Sequence, residues 1–431
     1  MRILLLGAYG FIGLAVARRL QQAGHDIVGF GRDLDLGQRL APDLSWTGAD
    51  LSRLSSEASW QPYLDGIDAV VNAAGALQDG ARDQLAASQQ RAISALIAAC
   101  EARGIRTFIQ ISVPGADPAA KIAFLRTKGE ADSALQRSAL DWIILKPGLV
   151  IGANAYGGTA LLRMIAAFPL VQVLAFGKSK VQIVAVDDLA DAVGACLARE
   201  VPKRTTFDLV AAEPHTLHEL ILKLRRWLGL PSPTATFDLP APMASGLARL
   251  ADLAGWFGWR SPLRSSALDI LSRGIVGDPT PWREATGRDL VELDVLLSRL
   301  PSTRQERIFA RSQLVLPGLV LTLASFWLLS GLIGLWQWRE AVAILPPSIS
   351  HGLAASFVIL GSLADIAIGI GFLFRRWLIR AALAAIAVSL VYLAAGTVLA
   401  PSLWGDPLGP LVKILPATAL AVAVMAIAEE R

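Results

Sequence analysis

The sequence has little cysteine, little histidine and, over residues 312–428, very little charge. Cys100 and Cys196 lie in Ala/Leu-rich stretches, far outside any metal-ligand or redox spacing, so we expect buried core thiols. His215 and His218 are too isolated in the sequence to be proposed as ligands, so no metal site is predicted. Lys and Arg cluster only beside hydrophobic stretches, which argues against a nucleic-acid partner despite the net charge of +4.

The scarcity of charge in residues 312–428 indicates a membrane domain. Hydrophobic residues make up 54% of the chain, above the roughly 45–50% of soluble domains, and the mean hydropathy is +0.49. The first charge-free run is long enough to cross a hydrocarbon core of ~30 Å. We therefore predict a soluble part followed by an all-α membrane domain of four spans, at about 312–338, 349–374, 377–400 and 408–427.

Arginine placement predicts how these spans are oriented. Only Arg339 follows the first run, whereas seven arginines flank the opposite ends: Arg299, Arg304, Arg307, Arg311, Arg375, Arg376 and Arg380. Because such residues favour the cytoplasmic side, we predict a multi-pass protein of the cell (inner) membrane with its N-terminal domain and C-terminus cytoplasmic. The opening apolar run, Ile3–Leu6, is shorter than a signal peptide needs, so we expect the first domain to stay on the side of synthesis.

The first 230 residues alternate short apolar runs with helical stretches, an order typical of a doubly wound parallel α/β sheet. Later segments, from about residue 151, are interpreted as a small lobe that completes a substrate cleft, and 231–311 as a helical connector near the membrane. Strands are predicted at 2–6, 26–30, 68–74, 107–113 and 142–146, and helices at 11–23 and 82–103.

A glycine-rich segment, residues 7–13, stands directly after the first strand and opens the first helix. Gly7 permits the tight turn, Gly10 leaves room for a pyrophosphate beside backbone N–H groups, and Gly13 lets the helix approach the sheet. The helix N-terminus favours the phosphate charge. A dinucleotide-binding loop is therefore predicted, with cofactor contacts from Gly7, Tyr9, Gly10, Phe11, Ile12 and Gly13.

The end of the second strand reads Gly31-Arg32-Asp33, at the point where NAD-binding proteins place an acidic residue on the ribose hydroxyls. Arg32 comes first, and a guanidinium pairs well with the 2′-phosphate of NADP, so NADP(H) is favoured over NAD(H). Two alternatives stay open: Asp33 takes the acidic role, or Arg32 is an ordinary solvated loop residue.

These motifs, together with Asp50 after the third strand, Asn72–Gly75 after the fourth and Lys146–Gly148 after the sixth, resemble the short-chain dehydrogenase/reductase superfamily. More narrowly, residues 1–230 resemble its atypical branch, which includes the NADPH-binding accessory subunit of respiratory complex I. The resemblance implies a Rossmann domain whose further cofactor contacts are Asp50, Leu51, Ala73, Ala74, Gly75, Lys128, Pro147 and Gly148.

The resemblance also implies catalytic roles for Ser112 and Lys128, with one departure. The superfamily places a tyrosine four residues before the lysine, where it passes a proton to the substrate oxygen. This chain has Phe124 there, which carries no ionisable proton. Lys128 is still expected to hydrogen-bond the nicotinamide ribose, so cofactor binding is predicted while enzymatic activity is left open.

Residues 301–307 and the four spans after them resemble the DoxX-like membrane domain, which is assigned to 312–431. The fusion implies a membrane-anchored oxidoreductase-like protein acting on a quinone or another lipid-soluble substrate. The alternative is a non-catalytic NADP(H)-binding protein that stabilises or regulates a membrane complex. Asp365, in mid-span, should face the helix bundle. Two interpretations stay open: it handles a proton or substrate, with His351 or Lys413 as candidate partners, or it is a neutral residue hydrogen-bonded for packing. Asp365 alone favours a third function, a transporter gated by NADP(H).

Overall fold

Residues 1–75, 84–259 and 263–428 are described by the structure, a computed structural model of the chain. The chain divides into two units. The first comprises Met1–Leu253 and Ser261–Arg307, and the second comprises Ala254–Arg260 and Ile308–Arg431.

The strands of the described residues all lie in the first unit. In chain order they are β1 (Arg2–Leu6), β2 (Asp26–Phe30), β3 (Ser45–Thr47), β4 (Ala69–Asn72), β5 (Thr107–Ile111), β6 (Asp141–Pro147), β7 (Leu149–Ile151), β8 (Val171–Leu174), β9 (Lys180–Val181), β10 (Ile183–Ala185), β11 (Thr205–Leu209), β12 (His215–Thr216) and β13 (Ala235–Asp238). Seven of them form one parallel sheet in the order β11-β6-β5-β4-β1-β2-β3. The order reverses between β1 and β4, where open α/β sheets bind their ligands. The predicted doubly wound parallel sheet is confirmed.

The α-helices extend through both units. They are α1 (Phe11–Gln22), α2 (Leu34–Leu40), α3 (Glu57–Trp60), α4 (Ala92–Arg103), α5 (Ala123–Arg137), α6 (Gly158–Ala166), α7 (Val186–Leu197), α8 (Leu217–Trp227), α9 (Ala241–Trp256), α10 (Ser265–Arg273), α11 (Thr280–Thr286), α12 (Leu293–Arg299), α13 (Arg304–Trp336), α14 (Trp338–Ala343), α15 (His351–Leu373), α16 (Leu378–Leu399) and α17 (Ile414–Ile427). A π-helical stretch, Ala86–Arg91, leads into α4. The predicted start of that helix, at residue 82, lies outside the described residues.

The central sheet is buried on both faces. Alternate side chains of β1 point to opposite sides: Ile3 and Leu5 pack in the cluster that contains α1 and α7, whereas Leu4 and Leu6 pack in the cluster that contains α4. Burial on both faces explains why the strand sequences are nearly continuous apolar runs. Helices on both sides therefore hold the strand ends in fixed positions.

Both cysteines are core residues, as the sequence predicted. Cys100 is fully buried on α4 and Cys196 is almost fully buried on α7. Burial raises the pKa of each thiol to about 12. Their role in the described structure is packing.

Short strand pairs and helices form the small lobe that follows β6. β7 pairs with β10, β9 with β12, and β8 with β13. The connector predicted at 231–311 holds α9 to α12, but it also contains β13, because Ala235–Asp238 pairs with β8. Met243, Leu250 and Leu253 of α9 are each more than half exposed. Proximity of this segment to a membrane stays a prediction.

The first predicted span is part of a longer helix. α13 begins at Arg304 rather than 312, because Thr303 precedes it as a cap and both the backbone N–H and the hydroxyl of Thr303 donate to Glu306 Oε2. Within the described residues, three helices are long and apolar enough to cross a membrane: Arg304–Trp336, His351–Leu373 and Arg375–Leu399, the last including the short turn before α16.

The fourth predicted span is shorter than expected. α17 has 14 residues, about 21 Å at 1.5 Å per residue, and starts at Ile414 rather than 408. Gly409, with φ +57°, and Pro410 interrupt the apolar run before that point. Four crossings with both ends cytoplasmic therefore stay a prediction.

Cysteine labelling tests this orientation. We expect Ile344→Cys, in the exposed connection before α15, to react in intact cells with a membrane-impermeant thiol reagent. Arg376→Cys, between α15 and α16, should react only after permeabilisation, because arginine-rich connections stay cytoplasmic. The unsubstituted chain serves as the control. Labelling of Arg376→Cys but not Ile344→Cys in intact cells would reverse the topology.

Candidate nucleotide-binding site

The glycine loop follows β1 in the geometry that a pyrophosphate requires. Gly7 has φ +72°, and its N–H donates to the carbonyl of Phe30 at 2.9 Å. A Cβ on Gly13 would lie 2.1 Å from the Gly7 carbonyl oxygen, and one on Gly10 would lie 3.0 Å from the same atom. Only glycines therefore let α1 approach the loop this closely, and the loop leads directly into the helix N-terminus, so the residues present fit a dinucleotide phosphate.

Three side chains of the loop pack against the residues around it. The Tyr9 ring covers Gly31 so closely that a Cβ there would lie 2.1 Å from it, and the Tyr9 hydroxyl accepts a hydrogen bond from the Arg32 N–H at 3.2 Å. A Cβ on Gly152 would lie 3.2 Å from the Phe11 ring, and Ile12 packs against the core. The structure thus gives these three residues a packing role, and their contact with the cofactor stays a prediction.

The residues after β2 and β3 surround one side of this loop. Arg32 is exposed, whereas Asp33 caps α2 by accepting from the Leu36 N–H at 2.9 Å. Asp50 accepts from both the N–H and the hydroxyl of Ser52, at 3.0 and 2.8 Å, directly before the single turn that starts at Leu51. Burial tends to raise the pKa of Asp50, but the Ser52 hydrogen bonds and the charges of Arg32 and Arg53 lower it overall.

The turn after β4 carries the predicted residues Ala73, Ala74 and Gly75. It is shaped by Asn72, whose side-chain carbonyl accepts from the Ala74 N–H at 3.0 Å, and whose amide donates to Gln110 at 2.9 Å. The same turn meets Lys128, since the ammonium donates to the Ala74 carbonyl at 3.1 Å. A Cβ on Gly75 would lie 3.5 Å from the Lys128 Nζ.

Lys128 is a buried cation on α5. Its side chain is 5% exposed, and the ammonium also donates to the Ile111 carbonyl at 3.0 Å, at the end of β5. Burial lowers the pKa of Lys128 to about 8, although the nearby charge of Asp132 acts in the opposite direction. One ammonium therefore joins the ends of β4 and β5 to α5.

Ser112, directly after β5, donates its hydroxyl proton to Asp132 Oδ2 at 2.5 Å. Both residues are buried, and burial raises the pKa of Asp132 more than this hydrogen bond and the charges of Lys128 and Lys146 lower it. Sequence reasoning missed Asp132. The available signal was its spacing, because four residues after Lys128 places it on the same helix face. Phe124, partly buried, lies one turn before Lys128 on that helix.

Pro147 and Gly148 end β6 and begin the crossing to the small lobe. The Gly148 N–H donates to the Leu209 carbonyl at 3.0 Å, and a Cβ on Gly148 would lie 2.5 Å from the Gln182 carbonyl oxygen. Apart from Lys128, which lies on α5, the predicted site residues thus lie at or after the carboxyl ends of parallel strands. Lys128 donates to the Ala74 carbonyl and to the carbonyl of Ile111, the residue before Ser112. Gly75 also lies close to Lys128.

Two other clusters in the first unit lie outside this constellation. A cavity of about 410 Å³ between α1 and α7, bordered by the Arg19–Asp191 ion pair, lies at the opposite end of α1 from the glycine loop. Glu213, His215 and Glu292 bring ligand-type atoms within 4.8 Å of one another. Glu292 already accepts from the Ala212 N–H at 2.9 Å. Because Glu292 lies far from Glu213 and His215 in the sequence, this group could not be recognised from the sequence alone.

Two protein families match the chain, one in each of its two units. Residues 7–165 match the NAD(P)H-binding family and residues 324–422 match the DoxX-like family. No curated protein sequence matches the chain significantly.

Solved structures share the fold of the first unit. The UDP-glucose 4-epimerase of Thermus thermophilus, complexed with NAD, is 17% identical with a TM-score of 0.53, covering 72% of this chain and 99% of that chain. The enzyme WbmH of Bordetella bronchiseptica, in complex with NAD+, is 16% identical with a TM-score of 0.52, covering 69% and 96%. The dTDP-glucose 4,6-dehydratase of Bacillus anthracis, in complex with NAD, is 12% identical with a TM-score of 0.53, covering 72% and 96%.

The first unit therefore contains an NAD(P)H-binding domain and has the Rossmann fold that these NAD-complexed structures share. The chain as a whole joins this NAD(P)H-binding domain to a C-terminal DoxX-like domain whose helical region fits a membrane.

The lowered pKa of Lys128 predicts a pH dependence of cofactor binding. Below about 8 its ammonium is charged and favours the anionic cofactor; as pH rises through that value the charge is lost. NADPH affinity should therefore fall roughly three- to tenfold between about pH 7 and about pH 9, the loss of one charge-assisted contact. Fluorescence titration measures this. Lys128→Gln should bind more weakly and show a flatter profile; an unchanged slope would assign the titration to another group.

Proposed function

We propose that the protein is a membrane-anchored, NADP(H)-dependent reductase of a lipid-soluble substrate, with quinones and related carbonyl compounds as the first class to test. The observation that carries this proposal is the buried group of Lys128, Ser112 and Asp132 beside the glycine loop. Burial of ionisable side chains is costly, and such groups with shifted pKa values concentrate at functional sites. An NAD(P)H-binding domain fused to a DoxX-like domain supports a reductase tethered beside its substrate.

The bound reduced cofactor supplies a hydride to the substrate carbon or quinone ring. In the proposed arrangement Lys128, already donating to two backbone carbonyls, turns its remaining N–H toward the nicotinamide ribose. With Asp132 protonated, as its raised pKa favours, the hydrogen bond between the two residues runs from Asp132 to the Ser112 oxygen. Ser112 then gives its hydroxyl proton to the substrate oxygen and takes one from Asp132. Solvent returns the proton to Asp132. One hydride and one proton complete the reduction of a carbonyl to an alcohol or of a quinone to a hydroquinone.

NADP(H) is the proposed cofactor, rather than NAD(H). Arg32 is exposed beside the glycine loop, and a guanidinium binds a 2′-phosphate through paired donors. The competing acidic residue is occupied, since one carboxylate oxygen of Asp33 caps α2. This supports Arg32 as the determinant of cofactor choice.

Arg32→Ala tests the cofactor preference. We expect NADPH affinity, measured by calorimetry, to fall about tenfold or more, because a charge-assisted pair contributes about 1.5–3 kcal/mol, while NADH affinity hardly changes. Arg18→Ala is the matched control, since it removes the same charge from an exposed position on α1. Equal losses for both cofactors in Arg32→Ala would point to Asp33 instead.

A second function, non-catalytic NADP(H) binding within a membrane complex, is favoured by Phe124 in place of the tyrosine. The two functions separate in one assay: NADPH oxidation by the full chain in lipid nanodiscs, with quinones, aldehydes and ketones offered in turn. Substrate-dependent turnover supports the reductase. Tight NADPH binding without turnover across these classes supports the binding protein.

Phe124→Tyr provides the most informative variant. It restores a phenol one helical turn before Lys128, whose positive charge lowers the phenol pKa. The variant should gain or increase carbonyl reduction by about a hundredfold or more, the lower range of acid–base catalysis, with little change in NADPH affinity. The double variant Phe124→Tyr/Lys128→Ala should lose the gain. If the wild type already reduces ketones at about 1–10³ per second and the variant adds nothing, the missing tyrosine has no catalytic consequence.

A further inference from the structure

A cavity of about 210 Å³ lies inside the second unit, wholly within the DoxX-like part of the chain. Its walls come from α13 and α16, with Pro410 and Ile414 closing one side. Four of its lining residues carry polar groups: Trp327, Ser330, Ser389 and Tyr392. The site is thus mixed in character, with aromatic and aliphatic walls and a few polar atoms, which is the usual composition of a small-molecule site.

Trp327 supplies the decisive polar group. Its side chain is 2% exposed, and its indole Nε1 has no hydrogen-bond partner among the residues that the structure describes. A buried N–H of this kind destabilises a fold unless an acceptor meets it. The cavity that Trp327 lines is therefore suited to an occupant that carries an acceptor oxygen.

The neighbouring hydroxyls are directed elsewhere, toward Asp365. Tyr392 donates to Asp365 Oδ1 at 2.8 Å and Ser330 donates to Oδ2 at 3.1 Å. The predicted burial of Asp365 is confirmed, but its partners differ from the candidates His351 and Lys413. His351 begins the same helix, about 21 Å away along its axis. Asp365 is absent from the cavity wall, and each of its oxygens already accepts a hydrogen bond from a hydroxyl, so the lining favours a neutral occupant over a cation.

A glycine of α15 makes room for the Tyr392 hydroxyl. A Cβ on Gly361 would lie 2.9 Å from the Tyr392 hydroxyl oxygen, so α15 presents a glycine where that hydroxyl lies. Phe326, which also lines the cavity, is 40% exposed near the middle of the charge-free part of α13. In a membrane this surface meets acyl chains, and the occupant would therefore enter from the lipid phase.

We propose that this cavity binds a neutral, lipid-soluble carbonyl compound, whose oxygen accepts a hydrogen bond from the Trp327 indole N–H. The proposal is independent of the reductase function, because it concerns binding alone and is tested without nucleotide. Failure of NADPH turnover would leave it standing, and failure of binding would leave the nucleotide site unaffected.

Duroquinone and hexamethylbenzene form a matched pair of probes, since the second replaces both carbonyl oxygens with methyl groups on the same ring. Equilibrium binding of each radiolabelled probe is measured on the full chain in nanodiscs, with empty nanodiscs subtracting partition into lipid. We expect saturable binding of duroquinone at about one site per chain, and hexamethylbenzene binding at least about tenfold weaker. Equal binding of the two probes, or no saturable duroquinone binding, would overturn the proposal.

Variants assign the site. Trp327→Phe keeps an aromatic ring but removes the N–H, and should weaken duroquinone binding about tenfold. Trp336→Phe is the control, because Trp336 is 84% exposed at the end of the same helix, and its affinity should not change. Ser389→Leu fills the cavity and should abolish binding without lowering thermal stability. Unchanged duroquinone affinity in both Trp327→Phe and Ser389→Leu would place any binding elsewhere and refute the assignment.

Discussion

The ammonium of Lys128 donates to carbonyl oxygens at the ends of β4 and β5 while its own backbone belongs to α5. No neutral side chain of similar reach offers three donors from one atom. The contact therefore fixes the turn that carries Ala74 and Gly75 against the strand that presents Ser112. The glycine loop is positioned independently, by the close approach of Gly13 to Gly7, so the candidate nucleotide site depends on two separate constraints.

Features that depend on neighbouring residues in sequence were predictable. The loop at residues 7–13, the observed bounds of β1 and β2 and the residues after each strand follow from local pattern and from the rule that parallel strands end at one edge. Features that depend on distant pairing were not. The role of Asp132 appears only when α5 packs beside β5, and the partners of Asp365 appear only when three helices assemble.

The length of α17 shows a different limit. Hydropathy counts apolar residues without regard to backbone conformation, so the run from residue 408 appeared continuous. Gly409 and Pro410 divide it, and the helix keeps only its later part. The two units of the chain also differ in what they bury: the first covers apolar strands with helices, whereas the second exposes apolar helix residues and buries Ser362, Asp365 and Ser389.

The two buried cysteines have a practical consequence. A thiol with a pKa of about 12 is ionised at neutral pH in only about one molecule in 10⁵, and the thiolate is the form that reacts. The natural chain is thus already a silent background for spin labels or fluorophores attached through maleimide chemistry. Distances between any two introduced probes, across the nucleotide-binding domain or along the membrane helices, become measurable without first removing a native residue.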